Sequence, residues 1–352
     1  MIALQKRRIA LIGGAGFIGH HLALELARRG ADVHVIDSLA VNNLLAFTST
    51  ASDIPNRELY ISLINQRLQL LRNAGIPIYV EDARDYSRSS FVLSRIKPQV
   101  MVLLAAVAHA DRSNKDPYST FDHNLRTLEN ALDAARNNVE HFIYFSSSMV
   151  YGDFPNGYVS EETPCEPLGI YGALKFAGEK MVIAYRQVFD LSSTIVRPSA
   201  LYGERCVSRR VGQVFIENAM QGKDLVIHGD GSERLDFTYI RDLVNGIINV
   251  IENEDSLGQT FNLTYGESRS IAEVAEIVRS YFPAVTIHYK PKDKLMPNRG
   301  TLSVEKARKL IGYDPQYPIE KGIAKYIEWY QSHLGSVHYF PNHVGRAAVL
   351  QV

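Results

Sequence analysis

The chain has 352 residues, enough for about two domains, and its 38 Lys plus Arg residues balance 38 Asp plus Glu residues. This zero net charge excludes a nucleic-acid-binding protein that relies on bulk positive charge. The two cysteines form neither a metal-ligand spacing nor a disulfide framework, so we expect no metal site and a reducing compartment.

The first apolar segment does not resemble a targeting signal. Basic residues at 6–8 precede an apolar run at 9–12, but that run ends at Gly13 and no cleavage site follows it. No apolar stretch approaches the roughly 18 residues of a membrane-spanning helix. The sequence therefore predicts a soluble, cytoplasmic protein with no membrane or nucleic-acid partner.

Short apolar runs alternate with helical patterns through the first half of the chain. Strands are predicted at residues 9–12, 33–36, 76–80, 100–104, 141–145 and 193–196. Continuous apolar strands separated by helices are buried on both faces, so this pattern predicts an α/β fold with a doubly wound parallel sheet.

Helices are predicted between these strands, at residues 20–29, 117–136 and 173–188. In the second of them Phe121, Leu125, Leu128, Leu132 and Ala135 recur at steps of three and four, which places them on one helical face. The broad apolar faces of the second and third helices fit either burial against the sheet or a helical dimer interface.

The connection over residues 38–75 is long for a link between two strands, and its leucines predict a helix within it. It is either a functional excursion at the ligand edge of the sheet or a surface elaboration.

The character of the chain changes after residue 198. Pro, Gly and charged residues there mix with short predicted elements at 212–221, 225–228, 270–281 and 304–311. We expect a first domain over 1–197 with a return segment near 236–262, and a smaller mixed α/β lobe over 198–235 and 263–335. The tail at 336–352 is either a flexible end or a partner contact.

A glycine-rich turn connects the first predicted strand to the first predicted helix. Gly13, Gly16 and Gly19 permit a tight turn, a close approach of the backbone to a pyrophosphate, and close helix–strand packing. Asp37 follows at close to the spacing of roughly 20 residues expected of an acid that binds ribose hydroxyls. Its carboxylate would repel a 2′-phosphate, so the motif predicts NAD rather than NADP, with the pyrophosphate at the helix N-terminus.

Asp82 follows the third predicted strand and is a second acidic candidate. Its carboxylate could accept a hydrogen bond from the adenine amino group, or it could cap the next helix.

Tyr171 and Lys175 lie four positions apart, so on a helix they point the same way. A phenol has a pKa of about 10, and we expect a neighbouring ammonium and a positive nicotinamide ring to lower it. The phenolate could then remove a sugar hydroxyl proton while a hydride leaves the same carbon. Ser147 follows the fifth strand at the carboxyl edge, where it can share the hydrogen bond to the substrate. We therefore predict Ser147, Tyr171 and Lys175 as the catalytic residues.

These motifs occur in one order along the chain, together with Leu104-Ala105-Ala106, residues 146–152 and Arg197-Pro198. In that order they resemble the extended short-chain dehydrogenase/reductases, specifically the nucleotide-sugar epimerases and dehydratases, over about residues 8–330. The resemblance implies a Rossmann domain that binds NAD, a C-terminal lobe that binds a nucleoside diphosphate sugar, and a homodimer built on two helices per subunit. The predicted cofactor-binding residues are Gly13, Gly16, Phe17, Ile18, Gly19, Asp37, Asp82, Ala83, Leu104, Ala105, Ala106, Tyr171, Lys175 and Pro198.

The two positions after Ser147 bear on the reaction. The resemblance implies Asp and Glu there in 4,6-dehydratases, and a glutamate at the second position in many UDP-glucuronate decarboxylases, whereas this chain has Ser148 and Met149. Methionine cannot transfer a proton, so the sequence favours 4-epimerisation, in which a 4-keto sugar turns and hydride returns to its other face. A C4 dehydrogenase or reductase uses the same residues and stays open. A 4,6-dehydratase or decarboxylase is less favoured, and a non-catalytic NAD-binding protein is the least favoured alternative.

Several arginines after residue 203 could bind a diphosphate bidentately. His109 falls where the sugar is expected, either as a ligand or as a structural histidine. The resembled family commonly has asparagine in place of Ala200 and arginine in place of Leu235, and these departures suggest a substrate other than UDP-glucose. The candidate substrate-binding residues are His109, Ser148, Met149, Arg205, Arg209, Arg210, Gln213, Arg234 and Arg299.

Overall fold

The computed structural model describes residues 2–48, 54–108, 110–291 and 297–334. Its central sheet has seven parallel strands, numbered here by their place in the chain: β1 (Arg8–Ile12), β2 (Asp32–Ile36), β3 (Ile78–Tyr79), β4 (Val100–Leu103), β5 (His141–Phe145), β7 (Ser193–Arg197) and β12 (Thr260–Asn262). Their order across the sheet is β12-β7-β5-β4-β1-β2-β3. The order reverses between β1 and β4, so the doubly wound Rossmann topology predicted from the sequence is confirmed.

Both faces of the sheet are buried. Along β1, Ile9 and Leu11 pack into one hydrophobic cluster, whereas Ala10 and Ile12 pack into another on the opposite face. This alternation explains why the strand is apolar at every position. The helices of the first part of the chain are α1 (Phe17–Arg28), α2 (Leu44–Thr48), α3 (Arg57–Asn73), α4 (Tyr86–Ile96), α5 (Ala110–Lys115), α6 (Pro117–Phe121), α7 (Thr127–Ala135) and α8 (Gly169–Phe189). A later helix, α10 (Ile240–Glu252), packs on α1.

The helix predicted over residues 117–136 is interrupted by a π-helical turn at Asp122–Arg126, between α6 and α7. A π turn adds a residue to the helical repeat and so rotates the segment before it relative to the segment after it. Phe121 is therefore half exposed, although Leu128 and Leu132 are fully buried as predicted.

Four two-stranded ribbons and four helices make up most of the rest of the chain. The strands are β6 (Tyr158–Val159), β8 (Leu201–Tyr202), β9 (Leu225–His228), β10 (Arg234–Asp236), β11 (Thr238–Tyr239), β13 (Ser268–Ser270), β14 (Ile287–Lys290) and β15 (Thr301–Leu302). Only the β10–β13 pair among these ribbons of the described residues is antiparallel. The helices are α9 (Val211–Met220), α11 (Ile271–Tyr281), α12 (Glu305–Ile311) and α13 (Ile319–Leu334), and short 3₁₀ turns occur at Ser148–Tyr151, Pro155–Gly157 and Glu254–Ser256.

The long connection at 38–75 contains the predicted helix, α3, and the shorter α2. Tyr60 on α3 donates a 2.5 Å hydrogen bond to Glu217 on α9, and Arg67 on α3 donates to the carbonyl of Arg205. The connection therefore contacts the part of the chain that follows β8. His109 and the tail at 336–352 lie outside the described residues. Among the residues that are described, no helix combines the length and the apolar character needed to cross a bilayer.

Candidate active site

Three side chains predicted as catalytic meet where β5 ends and α8 begins. Tyr171 and Lys175 lie one helical turn apart on α8, and Ser147 follows β5 directly. The Ser147 hydroxyl accepts a 3.2 Å hydrogen bond from the amide of Met149 and shares another with the Tyr171 hydroxyl. All three residues are less than a tenth exposed.

The Lys175 ammonium is held against the sheet. Its Nζ donates a 2.6 Å hydrogen bond to the carbonyl of Phe145 and lies 5.1 Å from the centre of the Tyr144 ring. Burial lowers the pKa of Lys175 to about 7, and the charge of Glu179 opposes that shift. Near neutral pH this group is thus poised between its two protonation states.

The pKa of the Tyr171 phenol is shifted in the opposite direction to the one predicted from the sequence. Burial raises its pKa above the usual value, although the hydrogen bond from Ser147 and the charge of Arg210 pull in the opposite direction. The physical reason is that a phenolate loses more hydration free energy on burial than these two groups return. The chain by itself therefore keeps Tyr171 protonated.

A buried ion pair lies behind Lys175 and was not predicted from the sequence. The Glu179 carboxylate, one turn beyond Lys175, accepts hydrogen bonds of 2.9 and 2.6 Å from the Arg197 guanidinium and one of 2.5 Å from the Ser146 hydroxyl. Ser146 precedes Ser147, so this network fixes the backbone that carries Ser147. The spacing of Tyr171, Lys175 and Glu179 at every fourth position was the available signal.

The glycine turn packs too closely against the loop after β4 to hold a side chain at Gly13. Gly13 has φ +83°, and a Cβ placed on it would lie 2.6 Å from the amide nitrogen of Ala105. No side chain caps the first turn of α1, which begins at Phe17. The backbone N–H groups of Phe17 and Ile18 therefore point from an uncapped helix N-terminus, an arrangement that suits a pyrophosphate.

The Asp37 side chain is hydrogen-bonded to the same turn. Its carboxylate accepts hydrogen bonds of 2.9 Å from the Ala15 amide and 2.8 Å from the Leu39 amide. Burial raises the pKa of Asp37, and these amides and the charge of Arg67 oppose the rise. Asn43, which the sequence did not single out, donates a 3.2 Å hydrogen bond to the carbonyl of Ala15 and supports the loop from the other side.

The surroundings of Asp82 bear on the two roles considered for it, a cap of the next helix and an acceptor for the adenine amino group. Asp85 caps α4, since its side chain accepts from the Arg88 amide, and Asp82 does not fill that position. Arg84 instead holds the Asp82 carboxylate at 2.6 Å and lowers its pKa. The same guanidinium reaches Asp122 at 2.8 Å, at the start of the π turn. Asp82 is thus a fixed, ionised acceptor at the sheet edge.

The remaining predicted cofactor residues border this edge. The amides of Leu104 and Ala105 donate to the carbonyl of Ile12, so the loop after β4 lies against the glycine turn. Asn124, in the π turn, binds the amide of Val107 at 2.8 Å and fixes the end of that loop, which also contains Ala106. On the other side, the carbonyl of Pro198 accepts from the amide of Ser148, and that of Ala83 accepts from Asn130.

Three of the candidate substrate residues interact with one another or with Tyr171. Met149 follows Ser147 by two positions, and its Sδ lies 3.6 Å from Nη1 of Arg299. The charge of Arg210 acts on both Tyr171 and Arg299.

Other candidates are engaged elsewhere. Ser148 is buried, and Gln213 is fully buried with both ends of its amide bonded, to the amide of Arg209 and to Glu217. The guanidinium of Arg209 donates to Tyr60, and that of Arg205 lies 5.6 Å from the Trp329 ring. The side chains of Gln213, Arg205 and Arg209 thus have partners within the protein.

Arg234 does not replace the arginine expected in place of Leu235. Neighbouring residues on a strand face opposite sides, so Leu235 is buried, while Arg234 donates to Ser268 and lies 3.4 Å from Glu273. Ala200, where the resembled family commonly has asparagine, has a φ of +32°. That conformation is strained for alanine, and asparagine tolerates it better.

Comparison with known proteins agrees with the Rossmann topology. The family model described as "NAD dependent epimerase/dehydratase family" matches residues 9–264. The uncharacterized UDP-glucose epimerase YtcB of Bacillus subtilis is 28% identical, over 92% of this chain and 98% of that protein. UDP-glucuronic acid decarboxylase 1 of Danio rerio is 27% identical, over 94% of this chain and 74% of that protein.

Among solved structures, a UDP-glucuronic acid 4-epimerase from Bacillus cereus, in complex with UDP-glucuronic acid and NAD, superposes with a TM-score of 0.81. It is 25% identical, and the match covers 92% of this chain and 99% of that one. The chain therefore belongs to the NAD dependent epimerase/dehydratase family, and NAD is its cofactor, as the glycine turn and Asp37 predict.

Proposed function

We propose that this protein is a nucleoside diphosphate sugar 4-epimerase. The observation that carries the proposal is the buried contact between Ser147 and Tyr171, with the Lys175 ammonium one helical turn away. The two positions after Ser147 add no efficient proton-transfer group, because the hydroxyl of Ser148 is a poor acid and Met149 has no ionisable proton.

Each of the three side chains has a distinct role in this proposal. Tyr171 takes the proton from the C4 hydroxyl of the sugar, and Ser147 holds that oxygen by a hydrogen bond. Lys175, fixed by the Phe145 carbonyl, supplies the positive charge that favours the phenolate. The glycine turn and Asp37 would hold NAD, which would supply the acceptor and donor for the C4 hydride. Since a ketone at C4 is flat, return to its other face inverts that carbon, and Tyr171 gives the proton back.

The raised pKa of Tyr171 fits this sequence of events. A protonated tyrosine in the empty site cannot act as a base, so the base forms only when further positive charge joins that of Lys175 and Arg210. The cofactor carries a positive nicotinamide ring, and its binding would therefore switch on proton removal.

We also propose a homodimer through the face formed by α4, α6 and α8. Phe91, Tyr118, Phe121, Val188 and Phe189 are exposed on these helices. Exposed apolar side chains on neighbouring helices are typical of a contact with another protein. Light scattering of the wild type and of Val188→Asp tests this, with a dimer that dissociates in the variant as the expected result.

The reaction is tested with a panel of UDP-, GDP-, CDP- and dTDP-sugars and NMR of the products. The wild type is expected to give the C4 epimer of one sugar, with no net change in NADH absorbance. Tyr171→Phe should keep NAD binding and lose turnover by about 10³-fold or more. A released 4-ketone would instead identify a C4 dehydrogenase, and a 4-keto-6-deoxy sugar would identify a dehydratase.

A further inference from the structure

The buried face of α3 contains one charged side chain. The other buried residues of this helix are apolar or aromatic, whereas Arg67 is a fully buried arginine. Its Nε donates a 3.0 Å hydrogen bond to the carbonyl of Arg205, and its Nη2 donates to the same oxygen. Nη1 is buried and has no hydrogen-bond partner among the described residues. A guanidinium with one neutral acceptor is costly to bury, so a nearby negative charge is needed to offset that cost.

Three groups that could carry negative charge act on Arg67: Asp37, Cys206 and Tyr326. Burial raises the pKa of the Cys206 thiol and of the Tyr326 phenol, so both are neutral at neutral pH. Burial lowers the pKa of Arg67 only to about 10, and the guanidinium therefore keeps its charge. The ionised partner of Arg67 is thus Asp37, the acid of the cofactor turn.

The carboxylate of Asp37 depends on this charge. Burial favours its protonated form, and three groups act against burial: the amides of Ala15 and Leu39 and the guanidinium of Arg67. Each carboxylate oxygen accepts one amide hydrogen bond, whereas an ionised carboxylate can accept about four. The remaining positions are available to the two ribose hydroxyls. Protonation would turn one of these acceptor positions into a donor, so the ribose binds best to the ionised form.

The other titratable groups of this cluster do not replace Arg67 or Asp37. His20 and His21 lie on α1, against which α3 packs. Both are neutral at neutral pH, because burial lowers the pKa of His21 to about 4 and that of His20 well below its usual value. Arg205 carries the same charge as Arg67 and acts against it. The attraction between Arg67 and Asp37 is therefore the one that offsets the burial of both.

We propose that Arg67 is a positioning residue of the cofactor site, which supplies from α3 the positive charge that keeps the Asp37 carboxylate able to bind the ribose hydroxyls of NAD. Arg67 acts through Asp37 and needs no contact with the cofactor. The connection at 38–75, for which the sequence left a functional excursion and a surface elaboration open, thereby takes part in cofactor binding. This inference concerns NAD affinity and does not depend on the reaction proposed above.

The test is the affinity for NAD, measured by fluorescence titration between about pH 5 and 8. Arg67→Gln removes the charge and keeps an N–H for the Arg205 carbonyl, whereas Arg67→Lys keeps the charge. Without the charge, Asp37 should take up its proton at a higher pH. Arg67→Gln should therefore bind NAD at least about tenfold more weakly than the wild type at the acidic end, and within about threefold at the alkaline end. Arg67→Lys should follow the wild type.

A second arm removes the carboxylate. In an Asp37→Asn background, Arg67→Gln should leave the pH dependence of NAD affinity unchanged, because no carboxyl group remains at position 37 for Arg67 to act on. Any pH dependence that comes from His20 and His21 is common to both backgrounds and cancels in this comparison. The control is Arg72→Gln, an exposed arginine on the same helix, which should bind NAD as the wild type does at every pH.

Three results would overturn the proposal. The first is an acid limb of NAD affinity in Arg67→Gln that coincides with that of the wild type. The second is an equal shift in Arg67→Lys, which would make Arg67 only a support for the Arg205 carbonyl. The third is a shift that persists in the Asp37→Asn background. Arg67→Met, which removes the charge and the hydrogen bonds together, should show the same acid shift as Arg67→Gln.

Discussion

The Glu179 carboxylate and the Arg197 guanidinium form a buried, bidentate pair, with hydrogen bonds of 2.9 and 2.6 Å, one helical turn beyond Lys175. Both side chains are nearly inaccessible to solvent. Glu179 also carries the only charge found to oppose the desolvation of Lys175 in the described structure. The pair thus connects Arg197 on β7 to the charge that acts on Lys175 of α8.

This link predicts a shift in the pH profile of Glu179→Gln. Without the carboxylate, the pKa of Lys175 should fall further below about 7, so that the ammonium is lost at a lower pH. The alkaline limb of kcat should then move to lower pH. The matched control is Glu276→Gln, an exposed partner of Arg279, and its profile should coincide with that of the wild type.

The same substitution should lower stability, because Arg197 keeps its charge and loses its partner. The loss is on the order of 3 kcal/mol, measured by chemical denaturation. An unshifted pH profile in a folded Glu179→Gln variant would show that Glu179 is only structural.

Lys175→Met should separate stability from activity. The pKa of Lys175 falls from 10.5 to about 7 on folding, so below about pH 7 the folded chain bears the full cost of a buried charge. Between pH 7 and 10.5 the unfolded chain binds more protons, and the free energy of unfolding therefore rises with pH through that window.

Removal of this charge should stabilise the protein at and below pH 7 by on the order of 1–2 kcal/mol, after the loss of the hydrogen bond to Phe145. The gain should shrink towards pH 10.5. Thermal melts across this range measure it, and a variant that is less stable at every pH would contradict the argument. Turnover should be lost at every pH.

Gly13→Ala should weaken NAD binding. Gly13 has a positive φ, and an added Cβ would approach the Ala105 amide to 2.6 Å, so the loop must shift where the pyrophosphate is expected. Gly312→Ala is the control, because Gly312 also has a positive φ but has no atom within 4 Å of an added Cβ. Fluorescence titration should show a loss of at least about tenfold for Gly13→Ala only; equal affinities would contradict the assigned role of the turn.

Asp82→Ala and Asp85→Ala should change different properties, NAD affinity in the first variant and stability in the second. Asp85 caps α4, so its loss should cost about 1 kcal/mol of stability and leave NAD affinity unchanged. Asp82 is held by Arg84 as a fixed acceptor, so its loss should weaken NAD by about tenfold. Nicotinamide hypoxanthine dinucleotide, which lacks the adenine amino group, should bind wild type and Asp82→Ala alike.

The sheet was predictable, and Tyr171 and Lys175 could be singled out, because their signals are local. Each strand is a short apolar run, and Tyr171 and Lys175 are related by one helical turn. Glu179 follows at the same spacing of four residues, but a glutamate at that position predicts no particular reaction. Its role is visible only in the structure, from its contact with Arg197.

Other features depend on contacts between distant segments. The burial of Gln213 is set by α3 and Glu217, and the exposure of Phe121 is set by a π turn that the apolar spacing does not show. The pKa of Tyr171 could not be deduced from the Tyr–Lys spacing, because burial outweighs the nearby polar groups.

Isotope transfer tests the central claim most directly. The protein should be incubated with UDP-glucuronate and UDP-glucose, each deuterated at C4, and the product analysed by NMR. If the hydride removed from C4 returns to the opposite face of the same carbon, the product has inverted C4 configuration and retains its deuterium. A product with deuterium lost from C4, a released 4-ketone, or loss of the C6 carbon or oxygen would contradict 4-epimerisation.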